Sequence, residues 1–348
     1  MATKTVPEAP MISPQPARSL NTFVARVAQA RELGLLVVLA LIILVVGVQQ
    51  PRFVQLNNFE QILQSVSLIA IIAVGETLVI LTRNVDLSVG SIVGFSAYAS
   101  ASLLKDHRDL PLILVFLFGL AVGAVLGAIN GLLVAYAGIP AIVVTLGTLY
   151  IYRGLDFTIA GGNEVSAYQV PTSFLDIAGA TILGIPLLVI IAALIAIIAG
   201  YLLRYSRQGR QLYAIGSNPE AAQIIGIRKS RLVFSSFLLS GALSGFAGVL
   251  WASFYATIDS GAATGWELLV IAAVVVGGVN IFGGSGSMLG AMLGAIVLAT
   301  IQNALGVLRV DQFWLQAFYG AAIVIAVTLD AIVTKQVQRI LVTRRVRE

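Results

Sequence analysis

Cysteine is absent from this chain, histidine occurs once and lysine only four times. Each scarcity closes off a class of chemistry. Without cysteine there is no disulfide framework, no thiolate metal site and no cysteine nucleophile. The single histidine, His107, falls in the polar loop Lys105-Asp106-His107-Arg108-Asp109, which argues against a zinc or di-metal site. It also leaves Ser285, in the G-x-S-G match Gly283-Gly284-Ser285-Gly286, without a base in a neighbouring span, and such a serine is not activated as a nucleophile. None of Lys4, Lys105, Lys229 and Lys335 follows a glycine, so the chain has no P-loop and no ATPase activity of its own. Charge is thin as well: 11% of residues, against about a quarter in soluble domains. Nothing points to nucleic acid.

Apolar residues fill the space left by charge. They make up 58% of the chain, in several runs longer than the roughly eighteen residues needed to cross about 30 Å of hydrocarbon. The fold class is therefore an all-α polytopic membrane protein with about ten transmembrane helices. The spans are read at 33–48, 62–81, 87–104, 111–136, 139–159, 180–203, 232–256, 267–281, 287–305 and 313–333. Eight remain if the segment at 139 or at 267 is re-entrant. Residues 1–32 form a disordered and then amphipathic N-terminus. Pro7, Pro10, Pro14 and Pro16 break its start, and Leu20, Phe23, Val24 and Val27 recur at the spacing of a short surface helix. Residues 33–333 are the membrane domain and 334–348 a basic tail. With the N-terminus inside, sixteen of the 21 Lys and Arg fall on the cytoplasmic side, which places both termini in the cytoplasm of a multi-pass inner-membrane protein.

Polar residues inside such spans carry functional weight by default. Glu76 lies mid-span and must face the protein interior. Asn84, Asp86 and Ser88 sit at the next boundary, in Thr82-Arg83-Asn84-Val85-Asp86-Leu87-Ser88. They offer hydrogen bonds either to a translocation path or within a simple turn, where Arg83 anchors at the headgroups and Asp86 caps the following helix. Thr145, Thr148 and Tyr152 recur at i, i+3 and i+7, a stripe that suits either a hydroxyl-rich ligand or helix packing. Asn130, Gln302 and Asn303 are uncharged candidates for tying helices together. Gly90-Ser91-Ile92-Val93-Gly94 and Gly286-Ser287-Met288-Leu289-Gly290 echo each other, too briefly to establish a duplication.

The largest internal polar stretch, 204–231, holds six Lys and Arg against one acid, Glu220. Inside it, Asn218 is placed to cap a short helix, Pro219 suits its first position and Glu220 complements the dipole. Ala221 and Ala222 continue the helix, and Gly226 ends it in a left-handed conformation. A short, well-capped helix on a basic loop of a membrane protein is a docking element.

The segment Glu220-Ala221-Ala222-Gln223-Ile224-Ile225-Gly226 resembles the E-A-A-x-x-x-G loop with which ABC importer permeases contact their ATPase. Asn84-Val85-Asp86-Leu87-Ser88-Val89-Gly90-Ser91 and Ile139-Pro140-Ala141-Ile142-Val143-Val144-Thr145-Leu146-Gly147-Thr148 are similar to the ribose-type branch of sugar permeases. Thr82-Arg83-Asn84 and Leu149-Tyr150-Ile151-Tyr152-Arg153-Gly154 look most like the rhamnose and autoinducer-2 permeases within it. The likeness covers about residues 35–335, and the extended N-terminus departs from it.

This resemblance implies a non-enzymatic subunit that imports a small monosaccharide-like solute, rhamnose or a related sugar before autoinducer-2, ribose or xylose. It implies three protein partners in the lipid membrane: an ABC ATPase, a periplasmic sugar-binding protein and a second permease chain, identical or different. It places ATP and Mg on the ATPase, with no cofactor on this chain. It makes 161–174 and 257–266 parts of the outer face, and has the Asn218–Gly226 helix push on the sixth and seventh spans. Ser240-Gly241-Ala242-Leu243-Ser244-Gly245 would let the seventh slide against a neighbour. An ion-coupled secondary transporter, for which Glu76 is the one good titratable candidate, is the alternative of another class.

Overall fold

The computed structural model describes the backbone of residues 18–311 and 314–328, and the side chains from 32 onward within those ranges. The expected disorder of the first residues and the basic tail from 334 fall outside the described residues. Helices follow in the order α1 (Arg18–Gln49), α2 (Leu56–Leu81), α3 (Val89–Asp106), α4 (Leu112–Ala135), α5 (Ala141–Ala160), α6 (Thr172–Gly179), α7 (Leu187–Tyr205), α8 (Arg207–Ser217), α9 (Pro219–Ile224), α10 (Lys229–Tyr255), α11 (Trp266–Val276), α12 (Met288–Val307) and α13 (Trp314–Thr328). The one sheet among the described residues is a hairpin of β1 (Thr181–Ile182) and β2 (Ile185–Pro186).

A helix falls in each of the ten expected apolar segments. Seven of them, in α1, α2, α4, α5, α7, α10 and α12, are long and apolar enough to cross a membrane. Of the other three, α3 is diluted by glycine and serine, α11 is short, and α13 is described only over Trp314–Thr328. Three boundaries differ from expectation. The short surface helix expected near Leu20 is the start of α1, one continuous 32-residue helix. The sixth apolar segment opens with the β1–β2 hairpin, turned at Leu183-Gly184, so its helix begins only after Pro186. The segment from 267 stops being helical at Val276. Beyond it Asn280 closes a loop, accepting from Phe282 N–H and donating its own N–H to the Ser285 carbonyl.

Burial separates centre from rim. In α2, 78% of the most apolar window is buried, against 11% in α1 and 17% in α7. The outer helices turn large apolar side chains outward, as a helix facing lipid must. The most extensive contact joins α4 to α10, where Gly119, Gly123 and Gly127 interlock with Gly241 and Gly245. A Cβ at Gly241 would sit 2.7 Å from Gly127 Cα, and one at Gly245 2.8 Å from Gly123 Cα. Small residues at four-residue spacing let two backbones touch.

The chain ends of the helices gather on two faces. One holds α8, α9, the α2–α3 turn and the loop from α11 to α12, joined by hydrogen bonds from Gly284 N–H to the Leu81 carbonyl and from the Tyr213 hydroxyl to the Gly286 carbonyl. The other holds the 3-10 turn Pro51–Val54, α6, the hairpin and the loop before α11. There Val165 and Ile258 pair backbone to backbone, and Arg108 donates to the carbonyls of Tyr168 and Val170. The segments 161–174 and 257–266 are thus bonded to each other on one face. His107 closes the far end of α3 from the Ser285 loop, so no serine–histidine pair forms.

Candidate functional site

Beyond Leu81 the chain turns sharply at Thr82 and Arg83 and folds back beside the last turns of α2 before α3 begins. This return brings Asp86 to Glu76: the Asp86 N–H donates to Glu76 Oε1 at 3.1 Å. Asp86 Oδ1 in turn accepts from the N–H and hydroxyl of Ser88, at 2.9 and 2.6 Å. Asn130 of α4 donates to the Ser88 hydroxyl at 2.8 Å, and the Tyr152 hydroxyl of α5 donates to Asn130 Oδ1 at 3.2 Å. The Thr145 hydroxyl reaches the carbonyls of Ala141 and Val85, and Thr148 bonds to the Thr145 carbonyl. Seven of the eight residues proposed for a path therefore meet in one buried polar layer across α2, α3, α4 and α5. Asn84 lies apart, bonded to the carbonyl and hydroxyl of Thr82.

The layer is not fully satisfied. Glu76 Oε2 and Asp86 Oδ2 are buried with no hydrogen-bond partner, as are the hydroxyls of Ser96 and Ser100 on α3 and of Ser240 and Ser244 on α10. Ser240 packs on Gly75, one residue from Glu76. Burial pushes the Asp86 carboxyl, in the turn between the two helices, up to about 6, against the opposing pull of its Ser88 bonds. Unpaired buried oxygens cost free energy unless something else completes them. They line the seam where α10 packs on α2 and α3, with Ser240 against Gly75 of α2 and Ser96 against Gly248 of α10.

A second cluster was not singled out in the sequence. Arg153 of α5 donates to the carbonyls of Ser260 and Ala262, at 3.2 and 2.6 Å, and lies 3.9 Å from buried Asp156. It pins the loop that leads into α11, whose start at Glu267 abuts Gly90 of α3. The signal was available: an arginine and an aspartate three residues apart in an otherwise apolar span. Asn303 accepts from Asn58 at 3.0 Å and ties α12 to α2, away from the layer.

On the α8 face the 204–231 stretch folds as α8 and α9. Asn218 Oδ1 accepts from Ala221 N–H at 3.0 Å, Pro219 takes the first helical position, and Glu220 lies in the first turn. Gly226, at φ 81°, ends the helix in a Schellman pattern, with Gly226 N–H on the Gln223 carbonyl and Ile227 N–H on the Ala222 carbonyl. Ala222 is buried, whereas Ile224 and Ile225 are 86% and 74% exposed, an apolar pair on an otherwise polar surface. Asn218→Ala should cost about 1 kcal/mol of helix stability. The expected readout is faster amide exchange confined to α9.

Arg83 joins the two assemblies. Its Nε and a terminal nitrogen donate to the carbonyls of Gly216 and Ser217, at 2.5 and 2.7 Å, immediately before α9. It thereby clamps the entry of α9 to the turn that carries Asp86, three residues away. Headgroup anchoring, one expectation for Arg83, leaves out these two bonds.

The profile of the family described as branched-chain amino acid transport system / permease component matches residues 58–327. Among relatives, the D-allose transport system permease protein AlsC of Escherichia coli (strain K12) is 34% identical over 87% of this chain and 92% of its own. The autoinducer 2 import system permease protein LsrC of Enterobacter sp. (strain 638) is 36% identical over 86% of each chain. The probable ABC transporter permease protein y4mJ of Sinorhizobium fredii (strain NBRC 101917 / NGR234) is 33% identical over 94% of this chain and 97% of its own. No solved structure matches.

Proposed function

This chain belongs to the branched-chain amino acid transport system / permease component family, and we propose that within it the chain imports a small monosaccharide-like solute. It is a permease subunit of a sugar ABC transporter and not an enzyme; ATP hydrolysis resides on a separate subunit. Family membership implies an ATPase and a periplasmic binding protein as partners. ATP and Mg belong to that ATPase, and a second permease chain, identical or different, completes the pore. Rhamnose or a related sugar remains the first candidate on the Thr82–Asn84 and Leu149–Gly154 motifs. D-allose and autoinducer 2, named for the relatives, stand beside it, with ribose and xylose after them.

The observation that carries this proposal is the Arg83 clamp, which links a capped surface helix to an incompletely satisfied polar layer between helices. In this scheme residues 33–333 cross the inner membrane ten times, and 1–32 and 334–348 lie in the cytoplasm, as the charge bias favours. The ATPase docks on residues 218–226, using the exposed Ile224 and Ile225. Its closure moves α9, and the motion reaches α7 and α10 through the chain and the α2–α3 turn through Arg83. Both sites then bias one two-state element, as coupling requires. The hydroxyls and carboxylates of the layer, with Glu76, Asp86, Ser88, Asn130, Thr145, Thr148 and Tyr152 as path residues, offer the solute hydrogen bonds as the seam opens.

Proteoliposomes containing this chain, its ATPase and its binding protein should take up labelled sugar only with ATP inside. Comparing rhamnose, D-allose, autoinducer 2, ribose and xylose ranks the substrates. Glu220→Arg, reversing the one acid on the docking helix, should weaken ATPase co-purification about fivefold. Uptake by this chain alone, driven by a proton or sodium gradient without ATP, would instead make it a secondary transporter.

A further inference from the structure

A furrow of about 440 Å³ runs between α7 and α12, with α2 as its floor. On α7 its wall is built from small residues, Ala192, Ala193, Ala196 and Gly200, and Met288 and Met292 of α12 face them. The α7 wall extends from Val189 to Tyr201, roughly 18 Å at 1.5 Å per residue. That slightly exceeds one leaflet of a hydrocarbon core about 30 Å thick. The furrow does not end blindly. Through Gly200, Tyr201, Met288 and Leu289 it runs into a second cavity of about 520 Å³ at the α8 face, lined by Arg204, Arg210, Tyr205, Tyr213 and Ser287.

The character changes where the two meet: aliphatic and thioether groups give way to two guanidinium groups and three polar hydroxyls. Arg204 stands over the Tyr205 ring at 5.5 Å, and Arg210 donates one nitrogen to the Tyr205 carbonyl at 2.9 Å. Each guanidinium has further donors, because an arginine carries five. Tyr213 donates to the Gly286 carbonyl, which fixes its ring at the mouth. One acid borders this mouth: Glu32 accepts from the Ser287 hydroxyl at 3.4 Å.

We propose that this continuous groove is a binding site for an anionic phospholipid of the leaflet on the α8 face. One acyl chain lies in the α7–α12 furrow and the headgroup phosphate sits between Arg204 and Arg210. An apolar slot one leaflet deep, ending in paired cations, matches a lipid in length, polarity and charge together. A transmembrane helix of another chain would match only its apolar part and would leave the cations unanswered. Basic pockets between membrane helices on the charged side are known to select anionic headgroups. The site abuts α8 and the start of the α8–α9 segment, so an occupied groove also braces the element proposed to receive the ATPase.

The test uses the full chain in nanodiscs of phosphatidylcholine with added phosphatidylglycerol, and counts retained lipid by native mass spectrometry. Wild type should retain phosphatidylglycerol in preference to phosphatidylcholine. Arg204→Gln with Arg210→Gln should lower that preference roughly twenty-five-fold, the product of two surface cations each contributing about fivefold. Its melting midpoint in pure phosphatidylcholine should stay at the wild-type value. Ala196→Phe, which blocks the furrow, should abolish retention of either lipid at this site. Should Ala196→Phe not fold, the arginine pair alone decides the matter. Equal retention of the two lipids by wild type, or an undiminished preference in the arginine variant, overturns the proposal. So does a disulfide-linked dimer from Ala193→Cys in this cysteine-free chain, which would give the groove to a second copy.

Discussion

Gly241→Leu is expected to yield no monodisperse protein after solubilisation. At Gly241 the α4 and α10 backbones touch. Any Cβ there meets the Gly123 carbonyl and lies 2.7 and 2.8 Å from the Cα and N of Gly127. Those atoms are backbone and cannot swing aside, so the helices must separate. Separation also undoes the reciprocal contacts at Gly119, Gly123, Gly127 and Gly245, because all lie on the same two ridges. Overpacking against side chains costs about 1–3 kcal/mol. Here the wedge is driven between backbones at the most extensive contact of the fold, so more than about 4 kcal/mol is expected. Gly147→Ala supplies the contrast. Gly147 is interior to α5 and a Cβ there meets nothing within 4 Å, so the substitution should be neutral or stabilising by about 1 kcal/mol. Equal yields of Gly241→Leu and wild type by size-exclusion chromatography would show that the seam does not hold the fold together. The same interlock bears on motion. Backbones that mesh glycine to glycine move as one body, so α10 carries α4 with it instead of sliding along it.

How far the sequence alone reached depends on the kind of signal. Helix ends written in local chemistry were legible. Asn218, Pro219 and Gly226 announce α9 because a cap, a missing N–H and a left-handed residue each act within one turn. The apolar runs announce the bundle because hydrocarbon length sets their own. The α2–α3 return was legible only as a polar cluster. Nothing local to Asp86 says that its N–H will meet Glu76 ten positions earlier, or that Asn130 and Tyr152 will close the chain from two other helices. The halt of α11 at Val276 is likewise tertiary. The residues Gly277-Gly278-Val279-Asn280 read as the end of an apolar span until the loop closed by Asn280 and the packing of Gly277 on Gly290 are seen. Arg153 and Asp156 show the opposite failure. Two charges in an apolar span were visible, but without the loop at Ser260 and Ala262 they had no apparent partner.

Arg83→Gly should produce an assembled but uncoupled transporter. Arg83 occupies φ 66°, a left-handed conformation that strains a side-chain-bearing residue and that glycine adopts freely. The substitution therefore keeps the turn while deleting the clamp on Gly216 and Ser217, which separates loss of coupling from loss of fold. Two hydrogen bonds from a charged donor, partly exposed, are worth about 2 kcal/mol together. If the link transmits the motion, sugar uptake should fall roughly thirty-fold. Co-purification of the ATPase should stay unchanged, the melting midpoint should fall only slightly because relief of the left-handed strain offsets much of the two lost bonds, and ATP turnover should lose its stimulation by loaded binding protein. Arg83→Lys, a single point of charge in place of a rigid fork, should hold one carbonyl and recover part of the uptake. Lysine keeps the left-handed strain that glycine relieves, so its partial recovery could not be credited to a more comfortable turn. Wild-type uptake by Arg83→Gly would remove the α2–α3 turn from the route and leave α7 and α10 as the path from the ATPase to the polar layer.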